Sequence, residues 1–249
     1  MSLAAILEAE GLTRRFGALY AVRDVAISVA AGEIKAVIGP NGAGKSTLFN
    51  LLTGLPATAG RIRFKGVDIT RLPKYRRARM GLVKADQIVS IFPALSVVEN
   101  VALAIHARRG GVRELLAPFR ALAPDHEAAG EALAHVGLAD RADQTAGQLS
   151  HGDKKRLEVA LALSTEPDLL LLDEPTSGMS PRESAMMADL IASVAGGRTI
   201  LLIEHDIDIV LALSHWVVVM HRGGVLAEGR PEEIEQNARV QEAYLGGYR

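Results

Sequence analysis

The sequence predicts an α/β protein with a parallel sheet at its core, a smaller antiparallel β portion and an inserted helical segment. Three observations carry that prediction. Short, wholly apolar runs alternate with amphipathic helical patterns, the signature of βαβ units. Strict alternation in Arg61-Ile62-Arg63-Phe64-Lys65 marks a half-exposed strand, which suits an antiparallel piece. Between about residues 90 and 165 strand signals vanish, and the chain becomes helical and rich in Ala, Leu and Arg.

Taken in order, Ile34–Ile38 reads as a short apolar strand. A glycine-rich turn follows, and then Leu48, Leu51, Leu52 and Leu55 recur at helical spacing. Leu169–Leu172 and Ile200–Ile203 read as further strands buried on both faces. Val217–Met220 and Val225–Leu226, joined through Arg222-Gly223-Gly224, form a hairpin pattern. Within the helical segment, loops are expected at Arg109-Gly110-Gly111 and Ala123-Pro124-Asp125. The resulting division is a core of residues 1–88 and 166–249 around a helical subdomain of about residues 89–165. The basic stretch from Arg71 to Lys84, with Lys74, Arg76, Arg77 and Arg79, is expected to be a solvated helix face. Trp216 is expected to pack in the core.

Composition narrows the functional classes. The chain has 249 residues, with 28 Lys+Arg against 29 Asp+Glu and a net charge of −1. Hydrophobic residues make up 49% and charged residues 23%, which excludes disorder and low-complexity architectures. Near-neutral charge and 4% aromatic residues argue against a nucleic-acid partner, which calls for a basic face or a stacking platform. The absence of cysteine removes disulfides, thiol catalysis and cysteine-ligated zinc. No signal peptide is expected, since Met1-Ser2-Leu3 lacks a basic start and Glu8 and Glu10 interrupt the apolar run. No apolar stretch approaches the ~20 residues needed to cross a bilayer.

Chemistry begins at Gly39-Pro40-Asn41-Gly42-Ala43-Gly44-Lys45-Ser46-Thr47, a match to the phosphate-binding pattern G-x-x-x-x-G-K-[ST] between a strand and a helix. Glycines let backbone N–H groups converge on phosphate oxygens, and the helix N-terminus favours negative charge. Lys45 is placed to reach the β- and γ-phosphates and the Ser46 hydroxyl to bind Mg²⁺. Leu169-Leu170-Leu171-Leu172-Asp173-Glu174 adds two carboxylates at the C-terminal end of a buried strand, where ligands sit in open α/β sheets. Asp173 suits Mg²⁺, and Glu174 suits the general base that orients and deprotonates the attacking water. An Asn-Lys-x-Asp guanine-reading motif is absent from the sequence, which places ATP ahead of GTP.

Just before that strand stands Leu149-Ser150-His151-Gly152-Asp153-Lys154-Lys155-Arg156-Leu157-Glu158. Ser150 and Asp153 read as a capping box opening a helix with Leu157, Ala160 and Leu161 on one face. A helix N-terminus of this kind is both capped and anion-seeking.

That segment resembles the signature motif of ATP-binding cassette (ABC) ATPases, usually Leu-Ser-Gly-Gly-Gln, and other motifs follow in the same order over nearly the whole chain. The resemblance implies a RecA-like P-loop NTPase core with an antiparallel β subdomain and an inserted α-helical subdomain. It implies that Gln87, in Asp86-Gln87-Ile88, is the glutamine that senses Mg²⁺ and the attacking water beside a membrane subunit. Ser177-Gly178-Met179-Ser180-Pro181 matches the D-loop, and His205 matches the switch histidine near the γ-phosphate. Phe16 stands where the family places an aromatic on adenine, with Tyr20 as the competing choice. In the implied head-to-tail dimer, Ser150, His151, Gly152, Asp153 and Ser180 face ATP held by the partner cassette.

Within the superfamily the sequence is most similar to ATPase subunits of branched-chain amino acid importers, with urea or short-amide importers almost level. Ile203-Glu204-His205-Asp206, Phe92-Pro93-Ala94-Leu95-Ser96-Val97-Val98-Glu99-Asn100 and Ala243-Tyr244-Leu245-Gly246 carry that likeness beside the signature. The implied partners are a second ATPase subunit, two integral membrane permease subunits and, indirectly, a periplasmic solute-binding protein. The implied location is the cytoplasmic face of the inner membrane. His151, Asp153 and Ser180 depart from the commonest family residues in ways the importer subfamily shares. Lys84 and Asp86, where relatives often carry an arginine and an aromatic, depart further. A soluble ABC ATPase acting on DNA or ribosomes is the rival reading, disfavoured by the short interval from Lys45 to Ser150 and the single cassette. A non-hydrolysing regulatory cassette is disfavoured by the presence of Lys45, Asp173, Glu174 and His205.

Overall fold

The computed structural model describes residues 4–85, 91–110 and 125–245. In chain order the first elements are β1 (Ala5–Phe16), β2 (Leu19–Ala30), β3 (Ile34–Ile38), α1 (Lys45–Thr53), β4 (Ala59–Phe64), β5 (Val67–Asp68), α2 (Lys74–Arg79) and β6 (Leu82–Ala85). The helical stretch contributes α3 (Val97–Gly110), α4 (His126–His135) and α5 (His151–Leu163). Then come β7 (Leu169–Asp173), α6 (Pro181–Val194), β8 (Thr199–Ile203), α7 (Ile207–Leu213), β9 (Trp216–His221), β10 (Gly224–Gly229), α8 (Pro231–Glu235) and α9 (Ala238–Leu245).

The chain divides into two compact units, the first being Met1–Lys84, Asp168–Glu174 and Ile191–Arg249. It holds a four-stranded antiparallel sheet in the order β2-β1-β4-β5 and a six-stranded sheet in the order β10-β9-β3-β8-β7-β6. β3 runs parallel to both β8 and β9, β7 runs parallel to β8, and β9 and β10 form the antiparallel hairpin. All five residues of β3, β7 and β8 are buried, as befits strands covered on both faces, and Lys35 within β3 is buried with its Nζ donating to Glu228 Oε1 at 3.2 Å.

Pleat alternation divides these side chains between two cores. Val37, Leu171, Leu201, Ile203 and Val218 join α1 residues Leu48, Phe49, Leu51 and Leu52, and Leu7, Leu12, Ile62 and Phe64 of the antiparallel sheet. Leu55 lies beyond the end of α1 but packs against the same core. On the opposite face Ala36, Ile38, Val217 and Val219 meet Val210, Ile234 and Val240. The phosphate-loop helix is therefore wedged into the larger core, and a Leu→Ala change in it would cost about 2–5 kcal/mol.

The second unit is Ala85–Pro167 with Pro175–Leu190. Helices α3, α4 and α5 pack together, burying Val101, Ile105, Leu133 and Leu157. Pro175–Leu190 joins this unit because local contacts tie it to the start of α5: the Ser177 carbonyl lies 3.2 Å from His151 Nε2.

Three expectations are corrected. Helix α3 continues through Arg109 and Gly110, where a loop was expected, while Gly111, Ala123 and Pro124 lie outside the described residues. A glycine costs only ~1 kcal/mol in a helix and is tolerated at its last position. Trp216 is half-buried and its indole N–H donates to Glu228 Oε1 at 2.7 Å, because the ring's polar edge needs an acceptor.

The basic stretch is not uniformly solvated. Arg77 is 1% exposed and its guanidinium donates to the carbonyls of Leu51, Leu52, Thr70 and Leu72. Two of those carbonyls close the C-terminal turn of α1, where orphan acceptors and the helix dipole favour a cation. The Lys84 side chain is only 6% exposed.

Candidate nucleotide site

The site grows from the junction of β3 and α1. Gly39 has φ 150° and Gly44 φ 103°, and neither can carry a side chain. A Cβ on Gly39 would lie 2.2 Å from the Met220 carbonyl oxygen, and one on Gly44 would lie 2.3 Å from that of Ala21. Gly42, with φ 80°, has nothing within 4 Å of such a Cβ among the described residues. The β9–β10 turn braces the loop: the Gly223 N–H donates to Ala43 O at 3.0 Å, and Gly223 O accepts from the Arg23 N–H at 2.7 Å. Pro40 and Thr47 are half-buried, Ala43 is buried, and Asn41 and Ser46 are exposed. The result is a fixed turn that opens onto the N-terminus of α1, a geometry suited to anions.

Lys45 lies back across the turn, its Nζ donating to Gly39 O at 2.7 Å and Pro40 O at 3.2 Å. Burial pushes its ammonium below the ordinary lysine range, and the charges of Glu174 and Asp173 oppose that shift. The structure thus brings the loop lysine within electrostatic reach of both strand-end carboxylates.

Asp173 closes β7 with its side chain 5% exposed. Its Oδ2 pairs with Lys84 Nζ at 3.0 Å, while its Oδ1 is buried and has no hydrogen-bond partner among the described residues. An orphaned buried carboxylate oxygen is costly unless something else satisfies it. A hard divalent cation that takes oxygen ligands fits this donor, together with the exposed hydroxyl of Ser46. Gln87, the third expected metal contact, lies outside the described residues, as does Asp86.

Glu174 is half-buried and has φ 50°, a rare conformation for a side-chain-bearing residue. Its N–H donates to Ile203 O at 2.9 Å, extending the β7–β8 ladder one residue beyond Asp173. Strain of ~1–3 kcal/mol at such a position is typical of functional sites. His205 follows β8 with its side chain 61% exposed. Its N–H donates at 3.1 Å to the carboxylate of the fully buried Glu204.

Both aromatic candidates for the base are displayed near the β1–β2 turn. Phe16 is 48% exposed with the Arg14 guanidinium 4.5 Å from its centroid. Tyr20 is 43% exposed, with Arg15 and Arg23 at 5.5 and 5.4 Å from its centroid.

The second unit carries the signature residues. Ser150 caps α5, its Oγ accepting from the Asp153 N–H at 3.1 Å and donating to Asp153 Oδ2 at 2.7 Å. Asp153 Oδ2 also lies 2.5 Å from Arg141 Nη1 and Oδ1 3.6 Å from Arg156 Nη1, so this carboxylate serves the helix start. Gly152 is buried, and a Cβ there would lie 2.9 Å from Glu183 Oε1. Ser180 and Glu183 form a reciprocal cap, with the Ser180 N–H donating to Glu183 Oε2 at 2.9 Å and the Glu183 N–H to Ser180 Oγ at 3.4 Å. The sequence pattern Ser180-Pro181-Arg182-Glu183 carries that signal, though the reading above gave Ser180 only a nucleotide role. The Lys84–Asp173 pair had no comparable signal.

Known proteins are similar to this chain along its length. A family model described as ABC transporter matches residues 22–177, and one described as branched-chain amino acid ATP-binding cassette transporter matches residues 225–248. The high-affinity branched-chain amino acid transport ATP-binding protein BraF of Pseudomonas aeruginosa is 41% identical, over 97% of this chain and 98% of that protein. Among solved structures, a nucleotide-free ATP-binding cassette from an ABC transporter superposes with a TM-score of 0.85 at 33% identity, covering 97% of this chain and 99% of the other. The ADP conformation of an ABC transporter cassette gives a TM-score of 0.84 at 32% identity, covering 98% and 99%.

Proposed function

Because the chain belongs to the ABC transporter family of ATP-binding cassettes, we propose that it hydrolyses ATP within a head-to-tail pair of cassettes to power uptake of branched-chain amino acids or related small polar solutes. The observation that carries the catalytic reading is the Asp173 carboxylate at the end of β7, its side chain 5% exposed and one oxygen unmatched among the described residues, in the same sheet as β3, which leads into the phosphate loop.

In this reading the loop N–H groups and Lys45 hold the phosphates, with Lys45 exchanging its carbonyl partners Gly39 and Pro40 for phosphate oxygens. Mg²⁺, held by Ser46, Asp173 and Gln87, supplies neutralisation of phosphate charge when bound. Glu174 orients a water and takes its proton, and His205 contacts the γ-phosphate. Phe16 or Tyr20 stacks on adenine. Ser150, His151, Gly152, Asp153 and Ser180 of one cassette complete the site of the other, so hydrolysis requires the pair. Within that set Ser150 and Gly152 make the approach, while the Asp153 carboxylate and Ser180 hold their helix starts.

Membrane subunits provide the path for the solute, since no described helix is long and apolar enough to cross a membrane. The cassette sits on their cytoplasmic face, with Gln87 beside them and a solute-binding protein on the far side delivering cargo. The match at residues 225–248 and the name of the Pseudomonas relative support the amino acid assignment over urea or short amides.

Two experiments test this. Glu174→Gln should lower turnover by ~10²–10⁴ while ATP stays bound, and unchanged turnover removes Glu174 as the base. Purification from native membranes in mild detergent should bring down polytopic membrane subunits, a second cassette and a binding protein whose ligand names the cargo. Recovery only with ribosomes or DNA would overturn the transport assignment.

A further inference from the structure

The Asp173 carboxylate is asymmetric. Oδ2 is paired with Lys84 Nζ at 3.0 Å, the two side chains being 5% and 6% exposed, while Oδ1 is buried without a hydrogen-bond partner among the described residues. Lys84 is itself held in place, its Nζ donating to Asn50 Oδ1 at 3.2 Å. Asn50 lies on α1, the helix that opens at the phosphate loop. The ammonium therefore bridges the carboxylate strand, the phosphate-loop helix and β6.

A carboxylate this deeply buried needs a counter-charge, because an isolated ion in a low-dielectric interior is expensive. Before a divalent cation arrives, Lys84 supplies that charge. Once the cation is present, the two positive charges share one carboxylate and repel each other across a few ångströms of protein, where repulsion is much stronger than in water. Each cation then weakens the hold of the other, and such coupling is reciprocal.

We propose that Lys84 is the built-in counter-ion of Asp173, competes with Mg²⁺ for its charge, and so sets how much Mg²⁺ the site requires. It acts through Asp173 and is a positioning residue. The proposal rests on the reading of Asp173 as the metal-facing carboxylate.

The test is a Mg²⁺ titration of the full chain with a fluorescent, non-hydrolysable ATP analogue, read as the half-saturating Mg²⁺ concentration. Lys84→Met should lower that concentration by about tenfold, within the range usual for coupled sites. Lys84→Arg, which keeps the charge, should stay near the parent value. Damage to the fold weakens metal binding, so a gain cannot be mimicked by a structural defect. An unchanged or raised requirement in Lys84→Met overturns the proposal. If that variant does not fold, Lys84→Gln, which keeps a donor for Asn50, decides by the same criterion. Asp173→Asn separates the proposal from its premise. Loss of Mg²⁺ dependence there keeps Asp173 as the metal-facing group whatever Lys84 does, while an unchanged dependence removes the premise and the proposal with it.

Discussion

Arg77 ties the far end of the phosphate-loop helix to the rest of the core, and Arg77→Met isolates that contribution. Methionine keeps much of the apolar stem but donates no hydrogen bond. Four carbonyls lose a charged donor: Leu51 and Leu52 at 2.7 Å, Leu72 at 2.8 Å and Thr70 at 3.0 Å. A bond to a charged group contributes ~1.5–3 kcal/mol, and a carbonyl left unmatched in the interior costs about 1–3 kcal/mol. Against this, the guanidinium is desolvated, enough that burial alone pulls its pKa down to about 10. Removing a buried ion returns several kcal/mol of that penalty. The net expectation is a loss of ~3 kcal/mol, which for a chain of this length lowers the melting temperature by roughly 6–12 °C. Thermal unfolding without nucleotide, followed by circular dichroism, reads this directly. Arg76→Met, on the exposed side of the same helix, is the control and should stay within ~0.5 kcal/mol of the parent. A shift in Arg77→Met no larger than the control's would refute the clamp and imply that water satisfies these carbonyls.

Gly44→Ala should abolish nucleotide binding measured by equilibrium fluorescence, since the new methyl meets the Ala21 carbonyl at 2.3 Å in a backbone conformation of φ 103°. Gly42→Ala, with no described residue within 4 Å of its Cβ, should lose less, and equal losses would show that strain rather than collision governs the loop. Hydrogen bonds from the Ser180 hydroxyl and N–H hold the Glu183 carboxyl below its ordinary value of 4.5. A depressed folded-state pKa contributes stability that is present above the unfolded value and lost as pH falls through the folded one. Glu183→Gln should therefore melt below the parent at pH 7, with the gap narrowing as the pH falls below the ordinary carboxyl value and through the depressed folded one. A gap that does not narrow at any acidic pH would assign the effect to shape rather than charge.

Legibility in the sequence followed the kind of constraint each residue obeys. Leu169–Leu172 and Ile200–Ile203 were readable as strands because an unbroken apolar run of that length must be covered on both faces, and Ile34–Ile38 was readable despite Lys35 because its other four residues are apolar. Ser150 was readable as a cap because its bond to the Asp153 N–H is local. The use of the Asp153 carboxylate was not, since Arg141 reaches it from outside the helix. Arg77 was hidden for the same reason. The six residues of α2 carry four basic side chains, and only the carbonyls ending α1 decide which of them turns inward.

The two halves of the nucleotide site divide along that line. Gly39 and Gly44 are fixed by backbone atoms of β9 and β2, where any side chain collides, so glycine there is a requirement that a pattern can express. Asp173 is different, because its position at a strand end is local but its charge environment is not. A lysine on β6, separated from β7 by the whole helical segment, pairs with one oxygen and leaves the other unmatched among the described residues, an arrangement that exists only after β6 and β7 come together in one sheet. Backbone requirements write themselves into the sequence as motifs. Side-chain electrostatics assembled from distant strands do not, and the pairing of Lys84 with Asp173 is of that second kind.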